Sequence, residues 1–590
     1  MQPEKPATLK HEIPRGTRAR ARMFESVRPG LAAMRMLRML AGVFKTPWRW
    51  RTVALIVTAV TVTILEVVLV LQLASWNAEF FNLLDQRAVG GLPAQALSFL
   101  AIILGIMALQ ALSLESKLRL QLVLRTYLTA TVRDAWMTDG RHYRLRYIAG
   151  EHGNEDGRIA EDARVVCEWV VEFFVSLLYA VTQLILFVGV LWLYSGPLYI
   201  AVGALAFTIP GHMVWIALIY ASLGAATTIF IGSPLVRATD DRQTAEANHR
   251  AMLIDALTHS QAIALARSEA GERTRLAQAF NSICAAWSRQ RASLRNLVFL
   301  NAGYGHLTAV LPLLMLAPHY LAGEMPLGTL IQVTIAFGQV TAALSWLSSN
   351  YSSVAQWEAS VERVLQLQDA VENSSDPAFT EQKGTFARVR ENGPALAFRD
   401  LTLVLPDGHI CIEHFTAEIM PGESVLLETT PQAAEALFRA VAGLSLWGAG
   451  RIELPEDAEP FFMGEHPHIP PAPLLEVILQ PLDAQALSPR IVAQTLASVG
   501  LAHLTPLLST TSNWEEELGL EDQQRIAFAG ALLQKPRWIL MHEATSALSS
   551  EAEAELVELL RHCLPDSALI VITHRTIARD FERRIMVRGR

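Results

Sequence analysis

Phe173-Phe-Val-Ser-Leu-Leu-Tyr-Ala-Val-Thr-Gln-Leu-Ile-Leu-Phe-Val-Gly-Val-Leu-Trp-Leu193, then Tyr194-Ser195-Gly196-Pro197, then Leu198 through Ile231, is the stretch on which the fold turns. Between Glu172 and Arg237 there is not one Asp, Glu, Lys or Arg. Crossing the hydrocarbon core takes about 20 apolar residues as a helix, so this run predicts two spans, Trp169 to Leu193 and Leu198 to Ile231. The second is long, and Ile209-Pro210-Gly211 inside it reads as a kink in one tilted helix whose freed backbone groups its neighbours satisfy. Working outward, four more runs complete a set of six: Thr52 to Ser75, Ala96 to Leu114, Leu297 to Ala317 and Leu327 to Leu347.

Composition agrees. Of 590 residues, 51% are hydrophobic and the mean hydropathy is +0.28, too apolar for an ordinary water-soluble chain. The four cysteines, Cys167, Cys284, Cys411 and Cys563, lie far apart, so no C-x-x-C pair points to zinc, iron–sulfur or redox chemistry. The first 51 residues hold twelve Lys and Arg against three acids, Lys5, Lys10, Arg15, Arg18, Arg20 and Arg22 among them. The apolar run that follows is too long for a cleaved signal. We read this leader as a cytoplasmic tail that fixes orientation, with no nucleic-acid partner.

The connections alternate. Short ones, at Asp85-Gln86-Arg87, Tyr194 to Pro197 and His319 to Pro326, belong outside; the long Arg-rich ones, Glu115 to Glu168 and Pro234 to Asn296, belong in the cytoplasm. Both chain ends are therefore cytoplasmic. The expected organisation is a basic tail (1–51), a transmembrane permease domain of six spans (52–372), a linker (373–394) beginning Asn373-Ser374-Ser375-Asp376-Pro377, and a soluble domain (395–590). That last part alternates strand-like runs (Leu401 to Leu405, Ser424 to Leu427, Trp538 to Met541, Ala568 to Ile572) with helical ones, an α/β pattern with a partly parallel sheet. The fold class is thus an all-α six-helix transmembrane domain joined to an α/β domain.

Several strings resemble the YddA-type bacterial ABC half-transporters, relatives of peroxisomal fatty-acyl transporters and of the SbmA/BacA permeases. In the membrane part these are Trp76-Asn77-Ala78-Glu79-Phe80-Phe81, Asn154-Glu-Asp-Gly-Arg-Ile-Ala-Glu-Asp162, Ile209 to Trp215, and Ala336-Phe337-Gly338-Gln339-Val340 through Trp346 and Trp357. In the soluble part they are Leu403 to Gly408, Pro421-Gly422-Glu423, Gln523 to Ala529 and Glu543-Ala544-Thr545-Ser546-Ala547-Leu548. The resemblance implies a transport ATPase of the bacterial inner membrane that binds ATP and magnesium. It implies work as a homodimer, or as a heterodimer with an active half-transporter, among membrane lipid. The cargo it implies is a small molecule or peptide: peptides, fatty-acyl derivatives and cobalamin-like cofactors are the options.

The residues at the nucleotide site depart from that pattern. A P-loop needs glycines whose amides cradle phosphate, a Lys on the β/γ oxygens and a Ser/Thr on magnesium. Here the strand Ser424 to Leu427 and a helix from Leu437 are expected, but the connection reads Glu428-Thr429-Thr430-Pro431-Gln432-Ala433-Ala434-Glu435-Ala436. It has neither glycine nor lysine, and Pro431 removes a donor. Replacing a cation by carboxylates changes the electrostatics by about 1 to 4 kcal/mol per close pair. The signature segment, L-S-x-G-E/Q-Q in the family, is Leu518-Gly519-Leu520-Glu521-Asp522-Gln523. The magnesium-linked aspartate is His542, the Q-loop glutamine is Glu465 and the D-loop aspartate is Ser549. Glu543 keeps the place from which the family polarises water, and His574 matches the switch histidine.

We therefore expect a pseudo-ATPase. The candidate catalytic residues are Glu543 and His574, and the degenerate nucleotide positions are Thr429, Thr430, Glu465 and Gln523. Two readings of Glu543 and His574 stand: partial completion of a composite site with an active partner, or retained scaffold. The spacing of His466, His468 and His542 gives no metal site. In the membrane, Glu66 sits mid-span, with His212 and His306 in other spans. A buried acid there raises a proton relay, set against Glu66 pairing with Gln72 and two packed neutral histidines.

Overall fold

The computed structural model describes residues 29–145, 153–202, 205–373, 386–405, 408–444, 447–456, 459–480, 482, 487–573 and 581–588. The charged residues of the leader before Arg28 and the linker from Ser374 to Thr385 lie outside them. Contacts divide the chain into two compact units, 1–134 with 151–368, and 135–150 with 369–590.

The first unit is helical: α1 (Pro29–Leu40), α2 (Arg49–Asp85), α3 (Leu92–Met137), α4 (Ala163–Tyr194), α5 (His212–Thr258), α6 (Ser260–Ala266), α7 (Glu269–Leu321), α8 (Leu327–Leu344) and α9 (Trp346–Asn373). Among the described residues, five helices are long and apolar enough to cross a membrane, and a shorter apolar stretch, His212–Thr228, opens α5. The expected single helix from Leu198 to Ile231 is corrected. Its first part is an antiparallel hairpin, β1 (Pro197–Val202) with β2 (Leu205–Pro210), in register from Pro197↔Pro210 to Val202↔Leu205. Pro197 and Pro210 bound the hairpin, and each lacks the N–H that a helix interior would use. Tyr199, Ile200, Val202, Phe207 and Ile209 favour a strand. At Gly211 φ is +60° and a Cβ would stand 2.5 Å from the Trp192 ring, so the helix restarts where only glycine fits.

The helices are held by side chains at their approach points. Gly328 lets α8 touch α2: a Cβ there would lie 1.9 Å from the Ala78 carbonyl oxygen, and its amide donates to Asn82 Oδ1 at 2.7 Å. Around this contact Ala74, Phe187, Leu191, Met213, Leu316, Val333 and Phe337 form a buried cluster. Further along, a single π-helical turn, Arg158–Asp162, aims two buried ionic side chains at α9. Asp162 accepts two bonds from Arg363, at 2.8 and 2.5 Å, while Arg158 donates to the Arg363 carbonyl at 3.0 Å. Trp357 donates to the Val166 carbonyl and Trp346 to Ser176 Oγ, with Phe173 edge-on to both rings.

The second unit has two sheets. One is antiparallel in its centre, ordered β3-β7-β4-β5, from β3 (Ala387–Glu391), β4 (Leu396–Val404), β5 (Ile410–Ile419) and β7 (Gly448–Pro455). The other is parallel, ordered β13-β6-β12-β11-β8, from β6 (Ser424–Glu428), β8 (Phe461–Met463), β11 (Trp538–His542), β12 (Ala568–Thr573) and β13 (Arg583–Met586). A two-residue pair, β9 (Ala472–Pro473) with β10 (Thr511–Ser512), lies apart. Because β3 pairs with β7, the sheet begins inside the segment expected to be linker. The helices are α10 (Pro431–Val441), α11 (Leu474–Leu479), α12 (Pro489–Ser498), α13 (Leu520–Gln534) and α14 (Ser550–Cys563). Strands β6, β11 and β12 are buried through most of their length, as parallel strands covered on both faces require. This unit is the α/β domain that the strand and helix alternation predicts.

Candidate functional site

The carboxyl ends of β6, β11 and β12 are where a doubly covered parallel sheet presents a ligand site, and Thr429, Thr430 and Glu543 stand there. Strand β6 ends at Glu428. The helix then starts at Pro431, six residues before the expected Leu437, leaving only Thr429 and Thr430 as connection. Pro431 sits in the first turn with its fixed φ, and Ala433, Ala434 and Ala436 are strong helix formers. Without a glycine, nothing in this segment favours an open loop over another turn of helix.

The amides that would face phosphate have other partners. Thr429 N–H donates to the Thr573 carbonyl and Ala434 N–H to the Thr430 carbonyl at 2.9 Å; Pro431 has none to give. The Thr429 hydroxyl donates to the Val587 carbonyl at 2.9 Å, whereas Thr430 is exposed and makes no side-chain cap. Ala433 and Ala434, which stand at the glycine and lysine positions of the pattern, are completely buried in the sheet core. Glu435, at the Ser/Thr position, pairs with Arg439 one turn on. The Glu428 carboxylate lies 3.8 Å from Arg584.

At the end of β11, His542 packs against the Phe438 ring of α10 at 5.4 Å between centroids. Glu543 follows with φ +52°, and its carboxylate accepts from the Thr573 hydroxyl at 3.2 Å. Glu465 is exposed, and its carbonyl accepts from Gln524 at 3.0 Å. Gln523 turns inward, donating to the carbonyls of Glu515 and Leu518. His574 lies outside the described residues. Ser549, at the D-loop aspartate position, caps α14 by accepting from the Ala552 amide.

Sequence reasoning singled out Gln523 but missed its neighbour. Gln524, completely buried, donates to Ser546 Oγ as well as to the Glu465 carbonyl, and accepts from the Ala547 amide. One side chain thus ties two loops to α13. Its sequence signal was its place in the string Gln523 to Ala529, which names no bonding partner. At the start of that helix, Gly519 precedes Glu521 and Asp522 in the first turn, and Glu521 pairs with Arg525 at 2.8 Å.

The membrane candidates are scattered. Glu66 is 9% exposed. Gln72 is exposed, and no bond joins it to Glu66 among the described residues. His212 is buried at the start of α5, its Nδ1 3.1 Å from the Gly196 carbonyl beneath the hairpin. His306 is exposed on α7. No two of the three share a hydrogen bond among the described residues.

Comparison with known proteins gives the setting of both units. Residues 39–321 match the model of "ABC transporter transmembrane region 2". The chain is 28% identical over 535 residues to the "Inner membrane ABC transporter ATP-binding protein YddA" of Escherichia coli, covering 89% of this chain and 92% of that protein. It is 27% identical to an uncharacterized ABC transporter ATP-binding protein of Synechocystis, over 76% of this chain and 68% of that one. A third relative is "ABC transporter D family member 2, chloroplastic" of Arabidopsis thaliana, 24% identical over 79% of this chain and 74% of its own length.

Proposed function

We propose, from the match of residues 39–321 to ABC transporter transmembrane region 2, that this chain is a transport half-subunit whose cassette no longer binds or hydrolyses ATP. The observation that carries the reading is the helix start at Pro431, with Ala433 and Ala434 buried where a phosphate cradle and its lysine would stand. Magnesium triphosphate does not fit this donor set. A histidine resting on Phe438 replaces the carboxylate for the ion, and Glu428 and Glu435 add negative charge on either side of the connection.

The half-subunit dimerises in the bacterial inner membrane with both termini in the cytoplasm, as a homodimer or beside an active half. The basic leader and the Arg-rich long connections support that orientation. An active partner would restore only part of the machinery, because its own site would be closed by the Gly519–Asp522 segment of this chain. There the hydroxyl and the close-approach glycine are replaced by Gly519 and Glu521, and two carboxylates occupy a helix start that would otherwise favour an anion.

The test is ATP turnover in proteoliposomes holding the chain alone. We expect no magnesium-dependent hydrolysis above the lipid blank, and no change on Glu543→Gln. Turnover abolished by Glu543→Gln would overturn the reading. A second reading, transport driven by protons, draws on the buried Glu66 within α2. It requires uptake that stops both when the proton gradient is dissipated and in Glu66→Gln; uptake indifferent to both removes it.

A further inference from the structure

Between α5 and α7 runs an open groove of about 390 Å³, lined by Arg242 of α5 and by Trp287, Arg291, Leu294, Arg295 and Val298 of α7. One wall is fixed. Gln290, 9% exposed, accepts from Arg242 at 2.9 Å and donates to Thr239 Oγ1 at 3.0 Å. The Arg242 guanidinium, also 3.0 Å from Glu246, lies over the Trp287 ring at 4.6 Å from its centroid.

The other wall is charged and unbalanced. Arg291 and Arg295 are one helical turn apart, so they share a face and repel each other. Both are exposed, and among the described residues no carboxylate pairs with either. The site also has a definite depth. Arg295 is the last charged residue before a run that carries none until Glu324, and on α5 Arg237 is the first after the long uncharged run. The groove therefore sits at the boundary between headgroups and hydrocarbon, the level at which Arg and Lys meet lipid phosphate. Just beyond it Val298 is 65% exposed and Phe299 84%, an apolar surface continuing from Leu294.

We infer that this groove binds the phosphate headgroup of an anionic phospholipid, with Arg291 and Arg295 on the phosphate and an acyl chain along Leu294, Val298 and Phe299. Arginine suits the task because its planar donors match phosphate oxygens and its charge persists at any physiological pH. The fixed Arg242–Trp287 pair forms the back of the pocket.

The test is native mass spectrometry of the purified full chain, offered phosphatidylglycerol, phosphatidylcholine or inorganic phosphate. We expect phosphatidylglycerol to be retained in preference to phosphatidylcholine, and its retention to fall about tenfold in R291Q/R295Q. It should be unchanged in R289Q, since Arg289 pairs with Asp241 at 3.3 Å outside the groove. Equal retention of the two lipids, or an unaffected R291Q/R295Q, would overturn the inference. So would displacement of the lipid by millimolar inorganic phosphate, which would mark a soluble-anion site. Dissociation of a dimer in R291Q/R295Q without loss of lipid would assign the face to contact between copies and equally overturn it.

Discussion

The two units use their motif residues in opposite ways. In the membrane unit, Arg158, Asp162, Trp346 and Trp357 bond to neighbouring helices, and outside the motifs Gly328 permits a close contact with α2 sealed by Asn82. In the second unit the sheets, the core and the Gln524 tie persist, while the positions that would handle phosphate and magnesium hold Ala434, Glu435 and His542. A fold is specified by a distributed apolar pattern, chemistry by a few loop residues, so the second can be lost while the first stands.

Four substitutions test that contrast, beginning with the largest effect. Ala434→Lys restores the family's lysine but buries it in an apolar core. We expect the domain to lose on the order of 3 to 5 kcal/mol and to gain no nucleotide affinity, read by thermal unfolding with and without ATP; stabilisation by ATP would show that the loop can open. Gly328→Ala drives a methyl into the Ala78 carbonyl, at a cost of about 1 to 3 kcal/mol, visible as a lower Tm of the detergent-solubilised chain. An unchanged Tm would mean that α2 and α8 part freely.

Asp162→Asn weakens the paired bonds from Arg363. Asp162 is 12% exposed but Arg363 45%, so solvent screening holds the loss to about 1 to 2 kcal/mol. A double-mutant cycle with Arg363→Met should give a coupling of similar size, and strict additivity would contradict the clamp. Glu543→Gln, by contrast, keeps an acceptor for Thr573 and should move stability by less than about 0.5 kcal/mol. A large loss there would make the retained glutamate part of the scaffold.

A smaller effect concerns pH. Asp400, 2.6 Å from His414 Nδ1, holds that imidazole above its ordinary value of 6.5. The added stability is present in full below 6.5 and fades as pH rises through the raised folded value. NMR titration should show His414 moving back toward 6.5 in Asp400→Asn; no movement would assign the shift to another group.

Apolar run length located the helices, because that signal is summed over some 20 residues and tolerates local exceptions. It misread Leu198 to Pro210 because an uninterrupted apolar run carries no period with which to tell strand from helix; the prolines at 197 and 210 were the available clue. In the second unit the identities at 428–436 showed which groups were missing. That α10 starts at Pro431 follows from proline in the first turn followed by alanines, a local signal outweighed by the expectation of a loop. Gln524 and Asn82 were illegible because their partners, Ser546 and Gly328, are distant in sequence, and only folding makes such bonds.

The most direct test is equilibrium titration of the purified, lipid-reconstituted chain with labelled ATP and magnesium, alongside a relative with an intact P-loop. The account predicts no saturable binding at millimolar ATP while the relative binds. Saturable, magnesium-dependent binding to this chain would contradict it, because the amides at Thr429 and Ala434 would then have to leave their partners and the helix start at Pro431 would have to open.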